Sequence, residues 1–104
     1  MTEPKTRTDL DSDARAALSC VAQAFGVEEG LIEGAGRDYM VITPRFTWYT
    51  ILKNMGWNLT EIGQATGRTH GAIHSGIAKL KERVKGERDL GQAISKVRLD
   101  GYEV

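Results

Sequence analysis

The sequence lacks the features that mark several common protein classes. Its 104 residues contain one cysteine, Cys20, so a single chain can form neither a disulfide framework nor a thiolate metal cluster. No apolar run approaches the roughly 18 residues that a membrane span requires, and no secretory signal pattern is present. We therefore expect a cytoplasmic protein with no membrane attachment, in which Cys20 is a small buried hydrophobe.

The sequence also lacks a recognisable set of catalytic residues. One cysteine without a placed histidine, together with scattered carboxylates, does not supply a nucleophile, a base and an orienting group. His70 and His74 have a spacing at which two imidazoles on a helix can share a metal ion, but no third ligand accompanies them. The sequence therefore predicts no enzyme, no cofactor and no metal ion.

Net charge is zero, yet the charges are distributed unevenly along the chain. Residues 1–42 hold 4 basic and 8 acidic side chains, a balance of minus four, whereas residues 43–86 hold 7 basic and 2 acidic ones, a balance of plus five. A positive segment of this kind suits contact with phosphates. Solvated lysines and arginines on ordinary helices give the same imbalance, so charge by itself leaves nucleic-acid binding open.

The length and the apolar content favour one small folded domain. Two tryptophans, three tyrosines and two phenylalanines, with many branched aliphatic residues, exclude the disordered class, and 104 residues suffice for a single modest core. We expect a flexible N-terminal arm over residues 1–10, one domain over residues 11–98 and a frayed tail over residues 99–104. At helical spacing the aromatic residues are expected in the core, although aromatic platforms beside cations also stack on single-stranded bases.

Helix signals recur along the domain. A first helix is predicted over residues 12–25, a single helical turn within residues 27–34, and a last helix over residues 87–98. Residues 37–42 have extended character but no partner strand, so a loop is expected there. Thr43 is the predicted cap of the next helix, with Pro44 in its first position, where a missing N–H costs least. Arg45, Thr47 and Lys53 are then expected on its outer surface.

Residues 58–84 predict two helices joined by a tight turn. Asn58 can cap the first helix and Gly67 can end it, while Thr69 can cap the second. The second helix carries one apolar stripe, made of Ile73, Ile77, Leu80 and Val84. This outline is typical of a helix-turn-helix, although helical hairpins with such spacing are also plain packing motifs.

Several sequence blocks in fixed order resemble one known family. They are VAQAFGV at 21–27, LIEGAGR at 31–37, PRFTWYTIL at 44–52, LTEIGQATGRTHGAIHSGIAKL at 59–80 and DLGQAISKV at 89–97. Together they resemble the C-terminal DNA-binding domain (domain IV) of the bacterial replication initiator DnaA. The resemblance implies a Trp-repressor-like, all-α fold of about five helices with a helix-turn-helix that binds double-stranded DNA through the major groove.

The resemblance also implies a set of DNA-facing residues. They are Arg45, Arg68, Thr69, His70, Gly71, Ala72, Ser75 and Lys79. Arg68 and His70 match the family motif, and Lys79 stands where a family basic residue meets backbone phosphate. The family has aspartate, a threonine pair and a histidine where this chain has Thr69, Gly71-Ala72 and Ser75, and an upstream arginine where it has Thr43. These departures predict an inherited DNA-facing geometry with altered base-reading residues.

No nucleotide-binding G-x-x-x-x-G-K-[ST] loop is present, so we expect a stand-alone module without the ATPase part of a full initiator. The leading hypothesis is duplex-DNA binding in replication, in its regulation or in transcription control, in a bacterium or phage, with other replication or regulatory proteins as further partners. The alternative is a protein-interaction module that kept the fold and lost specific DNA binding.

Overall fold

The computed structural model describes residues 9–104, apart from the side chains of residues 88 and 89, so the predicted arm lies almost entirely outside the described residues. Within that range the chain forms six α-helices and no strand: α1 (Ser12–Phe25), α2 (Glu29–Glu33), α3 (Tyr39–Asn54), α4 (Leu59–Thr66), α5 (His70–Gly86) and α6 (Arg88–Leu99). The predicted all-α fold class is confirmed. None of these helices is both long enough and apolar enough to cross a membrane.

Helix α3 is the centre of the core and packs against α1, α2, α4 and α5. Trp48 is fully buried, and its indole N–H donates to the carbonyl of Ala14 in α1 at 3.1 Å. Tyr49 and Trp57 are exposed by only 1% and 3%. These three rings are therefore core side chains, as predicted, and offer no platform for base stacking.

The start of α3 differs from the prediction. The helix begins at Tyr39, and the Asp38 carboxylate caps it by accepting from the Met40 N–H at 3.2 Å, so the expected loop over residues 37–42 is largely helical. Pro44 lies one turn inside and cannot donate to the Met40 carbonyl. The extra turn buries Val41 against the domain. The Asp38 cap and the burial of Val41 thus start the helix at Tyr39, earlier than the Thr43-Pro44 pair predicted.

The last residues of the chain fold back onto the domain. Tyr102 and Val104 pack against the main core, and the Asn54 side-chain amide donates to the Glu103 carbonyl at 2.8 Å. Gly101 makes the reversal possible because its φ of 95° lies in the region that favours glycine. The prediction of a frayed tail was wrong, because these apolar side chains find burial that no local pattern reveals.

Cys20 is partly buried, and its thiol donates to the Asp100 carboxylate at 3.1 Å. Burial, then the hydrogen bond to Asp100 and its negative charge, raises the pKa of Cys20 from an ordinary 9.0 to about 12. The raised folded-state pKa gives a stability contribution that is complete below pH 9.0 and is lost as the pH rises toward 12.

We expect Cys20 to react slowly with iodoacetamide at about pH 8.5, since the thiolate is the nucleophile. Asp100→Asn removes the negative charge and should accelerate alkylation, measured by mass spectrometry over time. A free thiol peptide provides the reference rate. Equal rates for the wild-type protein and the peptide would contradict the Cys20–Asp100 contact.

Candidate nucleic-acid interface

The turn between α4 and α5 is built by local hydrogen bonds. Asn58 and Glu61 form a reciprocal capping box, in which each side chain accepts from the other's backbone N–H at 2.8–2.9 Å. Gly67 ends α4 with a φ of 72°, and Thr69 caps α5 by accepting from the Ala72 N–H at 3.1 Å. The roles predicted for Asn58 and Thr69 as caps and for Gly67 as the end of α4 are confirmed, whereas Gly86, predicted as a left-handed stop, is the last residue of α5 and has no positive φ.

The turn lies directly on the backbone of α4. The Gly63 carbonyl accepts from the N–H groups of Gly67 and, at 2.8 Å, Arg68. A Cβ at Gly63 would lie 2.5 Å from the Arg68 carbonyl oxygen, closer than real Cβ atoms come to another atom. Glycine at this position therefore sets how closely α4 and the turn approach, and through the turn it sets the start of α5.

Helix α5 has one buried and one exposed face. Ile73, Ile77 and Leu80 are buried, and the backbone at Gly76 contacts the Phe46 ring of α3. On the other face, the predicted residues of this segment are all exposed: Thr69, His70, Gly71, Ala72, Ser75 and Lys79. This face begins at the N-terminus of α5, where unpaired backbone N–H groups and the helix dipole favour anions.

His74 is also exposed, next to this face. The pair His70 and His74 thus shares one side of α5 in solvent. Within the described part of the chain, no group of three or more histidine, cysteine or carboxylate side chains is arranged to hold a metal ion.

Arg45 does not lie where the sequence placed it. Its side chain is buried, and the guanidinium donates to the carbonyls of Ile32 at 2.7 Å, Gly36 at 2.8 Å and Leu31 at 3.0 Å. Burial, and then the positive charge of Arg68, lowers the pKa of Arg45. The prediction that Arg45 is an outer-surface residue was wrong, because the end of α2 has carbonyls that need donors.

Thr47 was expected on the same outer surface and is fully buried, with its hydroxyl donating to the Thr43 carbonyl at 2.9 Å. That prediction was wrong too. Lys53, the third residue of the group, is exposed as expected.

Arg68, in the turn, is half-buried and also binds carbonyls at the end of α2. Its guanidinium donates to the Thr66 carbonyl at 2.9 Å, to the Glu33 carbonyl at 3.4 Å and to the Gly34 carbonyl. Arg45 and Arg68 together therefore hold residues 31–36 against α3 and the helix-turn-helix. We call this pair and the carbonyls that it binds the arginine clamp.

Arg37 is a cation that was not assigned to the DNA-facing set, because it was counted with the acidic first part of the chain. It is exposed and directly follows Gly36, whose carbonyl accepts from Arg45. Arg68 in the turn binds the carbonyls of Glu33 and Gly34, which lie three and four residues before Arg37 on the same segment. The sequence offers one signal for Arg37, which is the last residue of the LIEGAGR block that carries the resemblance.

Arg83, on the later part of α5, is also used inside the fold. Its guanidinium lies 5.1 Å from the ring centroid of Tyr39 and 5.7 Å from that of Phe46, and it donates to the Thr43 hydroxyl at 2.9 Å. The Tyr39 hydroxyl in turn donates to the Glu87 carboxylate, which raises the pKa of Tyr39. The three arginines of residues 43–86 thus make internal contacts, and the exposed cations of that segment are lysines.

Comparison with known proteins finds relatives over most of the chain, although no protein-family model matches it. The chain is 32% identical over 88 residues to the chromosomal replication initiator protein DnaA of Thermomicrobium roseum, 30% over 82 to that of Deinococcus radiodurans and 31% over 85 to that of Roseiflexus castenholzii. These matches cover 83%, 78% and 80% of this chain but only 19%, 18% and 18% of the relatives. The chain therefore spans about a fifth of these relatives' length, and over that part it is a module like the C-terminal domain of DnaA.

Proposed function

We propose that this chain is a non-catalytic, cytoplasmic module that binds duplex DNA and acts in replication initiation, in its regulation or in transcription control. The observation that carries the proposal is the geometry of α5, whose first turns are exposed while its opposite face is buried on α3. That is how a recognition helix is presented to the major groove. The name of the relatives, chromosomal replication initiator protein, supports the same function.

The contacts fall into two groups. Thr69, His70, Gly71, Ala72 and Ser75 line the exposed first turns of α5 and face base edges and the nearest phosphates. Glycine offers a base no side-chain hydrogen bond, alanine offers only a methyl group and serine a short hydroxyl. Each good bidentate base contact contributes about 1–3 kcal/mol of discrimination, so this surface reads fewer bases than one with aspartate and threonines.

Cations around these turns hold the backbone of the duplex. Lys79 lies on α5 some nine residues after its first residue, about 14 Å along the axis. Arg37 lies on the loop held by the arginine clamp, and both side chains are exposed. Arg45 and Arg68 contribute by holding that loop and the turn in place, and Arg68, being only half-buried, also borders the phosphates.

Lys79→Ala tests the phosphate role. We expect it to weaken binding to all duplexes alike and to reduce the slope of log K against log salt by about one. Titration of a fluorescent duplex at several salt concentrations measures both. Lys85→Ala is the matched control, because Lys85 lies six residues further from the first turns and is next to Glu82 at 3.5 Å. Equal losses for the two variants would argue against a docking site centred on the start of α5.

The alternative function, a protein-interaction module that lost specific DNA binding, is favoured by one observation. The arginines of the positive segment are directed into the fold, which leaves lysines as its exposed cations. Weak retention of duplex without salt dependence would support that alternative. Selection of bound sequences from a random duplex pool then separates specific from general binding: an enriched motif supports base reading by α5.

A further inference from the structure

A groove of about 540 Å³ lies between the end of α1, the first turn of α3 and α6. Its lining includes Phe25, Pro44 and Leu90, and it is bordered by Tyr39 and Met40, whose exposed fractions of 48% and 63% are unusual for large apolar side chains. We call this feature the α1–α6 groove. Apolar side chains collected on one face of a small domain mark an interaction surface.

The apolar surface continues beyond the groove. A second depression shares Ala24 and Lys96 with the first and is bordered by Leu99, which is 86% exposed. Of the four large apolar side chains that are exposed in the described residues, three therefore border this one face. None of the residues lining either depression belongs to the first turns of α5.

The groove carries opposite charges toward its two ends. Glu87 lies at the start of α6 and Lys96 nine residues later, about 14 Å further along the helix axis, and both side chains line the groove. A surface with an apolar centre and opposite charges at its ends is complementary to itself after a two-fold rotation. Each Lys96 then meets the Glu87 of the other copy.

We propose that the α1–α6 groove is a dimer interface, with a second copy of this chain as its occupant. The two α6 helices run antiparallel, Met40 of each copy enters the groove of the other, and two Lys96–Glu87 pairs close the ends. A net charge of zero removes the general repulsion that opposes self-association. The interface lies away from the first turns of α5, so the inference does not depend on the proposed function.

Charge reversal tests the proposal through a prediction specific to two-fold pairing. Lys96→Glu alone sets glutamate against glutamate, and Glu87→Lys alone sets lysine against lysine, so each variant should dimerise at least about tenfold more weakly than wild type. An equimolar mixture of the two variants restores both ion pairs in the heterodimer. We expect the mixture to recover dimerisation to near the wild-type level in sedimentation velocity across a concentration series.

Two further variants separate the interface from effects on folding. Met40→Glu places a charge in the proposed interface at the start of α3, where an acidic residue suits the helix dipole, and should give a monomer. Leu31→Glu changes a 52% exposed leucine on α2, away from the groove, and should leave dimerisation unchanged. Circular dichroism confirms that each variant folds. A wild-type protein that stays monomeric at its highest soluble concentration, or a mixture no better than the single variants, overturns the proposal.

Discussion

Replacing Gly63 with alanine is expected to destabilise the domain by about 3 kcal/mol, which lowers Tm by roughly 12–24 °C for a chain of this size. The added Cβ would lie 2.5 Å from the Arg68 carbonyl oxygen. That oxygen is backbone in a three-residue turn, so it cannot swing aside as the end of a side chain would. Alanine's better helix propensity, worth about 1 kcal/mol, offsets only part of the loss. Thermal unfolding followed by circular dichroism measures the change.

Gly91→Ala is the matched control, because Gly91 is a helical glycine in α6 whose added Cβ meets nothing within 4 Å. There alanine should be neutral or should raise stability by up to about 1 kcal/mol. A Gly63→Ala protein as stable as the Gly91→Ala protein would show that α4 and the turn are not in close contact. Under the proposed function, Gly63→Ala also loses duplex binding, since the turn sets the start of α5.

Arg45→Ala is expected to cost about 4 kcal/mol of unfolding free energy. The buried guanidinium donates to three carbonyls at 2.7–3.0 Å, and its removal leaves those acceptors without their donor. Arg45→Lys should recover only a minor part, because one ammonium group cannot reproduce the fork that spans residues 31–36. Urea unfolding gives the free energies. A surface position for Arg45 implied that Arg45→Ala would leave Tm unchanged. The contacts of the arginine clamp predict instead that Arg45→Ala lowers Tm.

Arg37→Ala provides the contrast on the same loop. Its side chain is exposed, so stability should change by less than about 0.5 kcal/mol, while duplex affinity falls under the proposed function. The two substitutions thus separate an effect on the stability of the loop from an effect on duplex binding by the loop. If Arg45→Ala melted like Arg37→Ala, the clamp would not support α2, and the sequence-based view of Arg45 would be restored.

The helix-turn-helix was predictable because its determinants are local. The side-chain oxygens of Asn58 and Thr69 accept from N–H groups three residues away, and Gly67 adopts the positive φ that ends α4. Such contacts lie within a single turn of chain, so the order of residues specifies them. The exposed face of α5 followed from the same source, because its apolar stripe defines which side is buried.

The contacts made by the arginines were less predictable than the exposed face of α5. The resemblance placed Arg45 and Arg68 in the DNA-facing set, whereas the structure directs both guanidinium groups toward carbonyls of residues 31–36. Those carbonyls lie 9–35 positions away in sequence. No periodicity encodes a partner at such a distance. Arg37 follows the segment that the clamp holds, and that contact too joins residues far apart in sequence.

By itself the sequence determined an all-helical chain, the caps of α4 and α5 and the face that α5 leaves in solvent, because hydrogen bonds and apolar spacing within a few residues control them. Tertiary structure alone decided the burial of Val41 in the added turn of α3, the docking of Tyr102 and the inward direction of the arginines. Each of these depends on burial or on a carbonyl supplied by a distant segment, which exists only once the helices have packed.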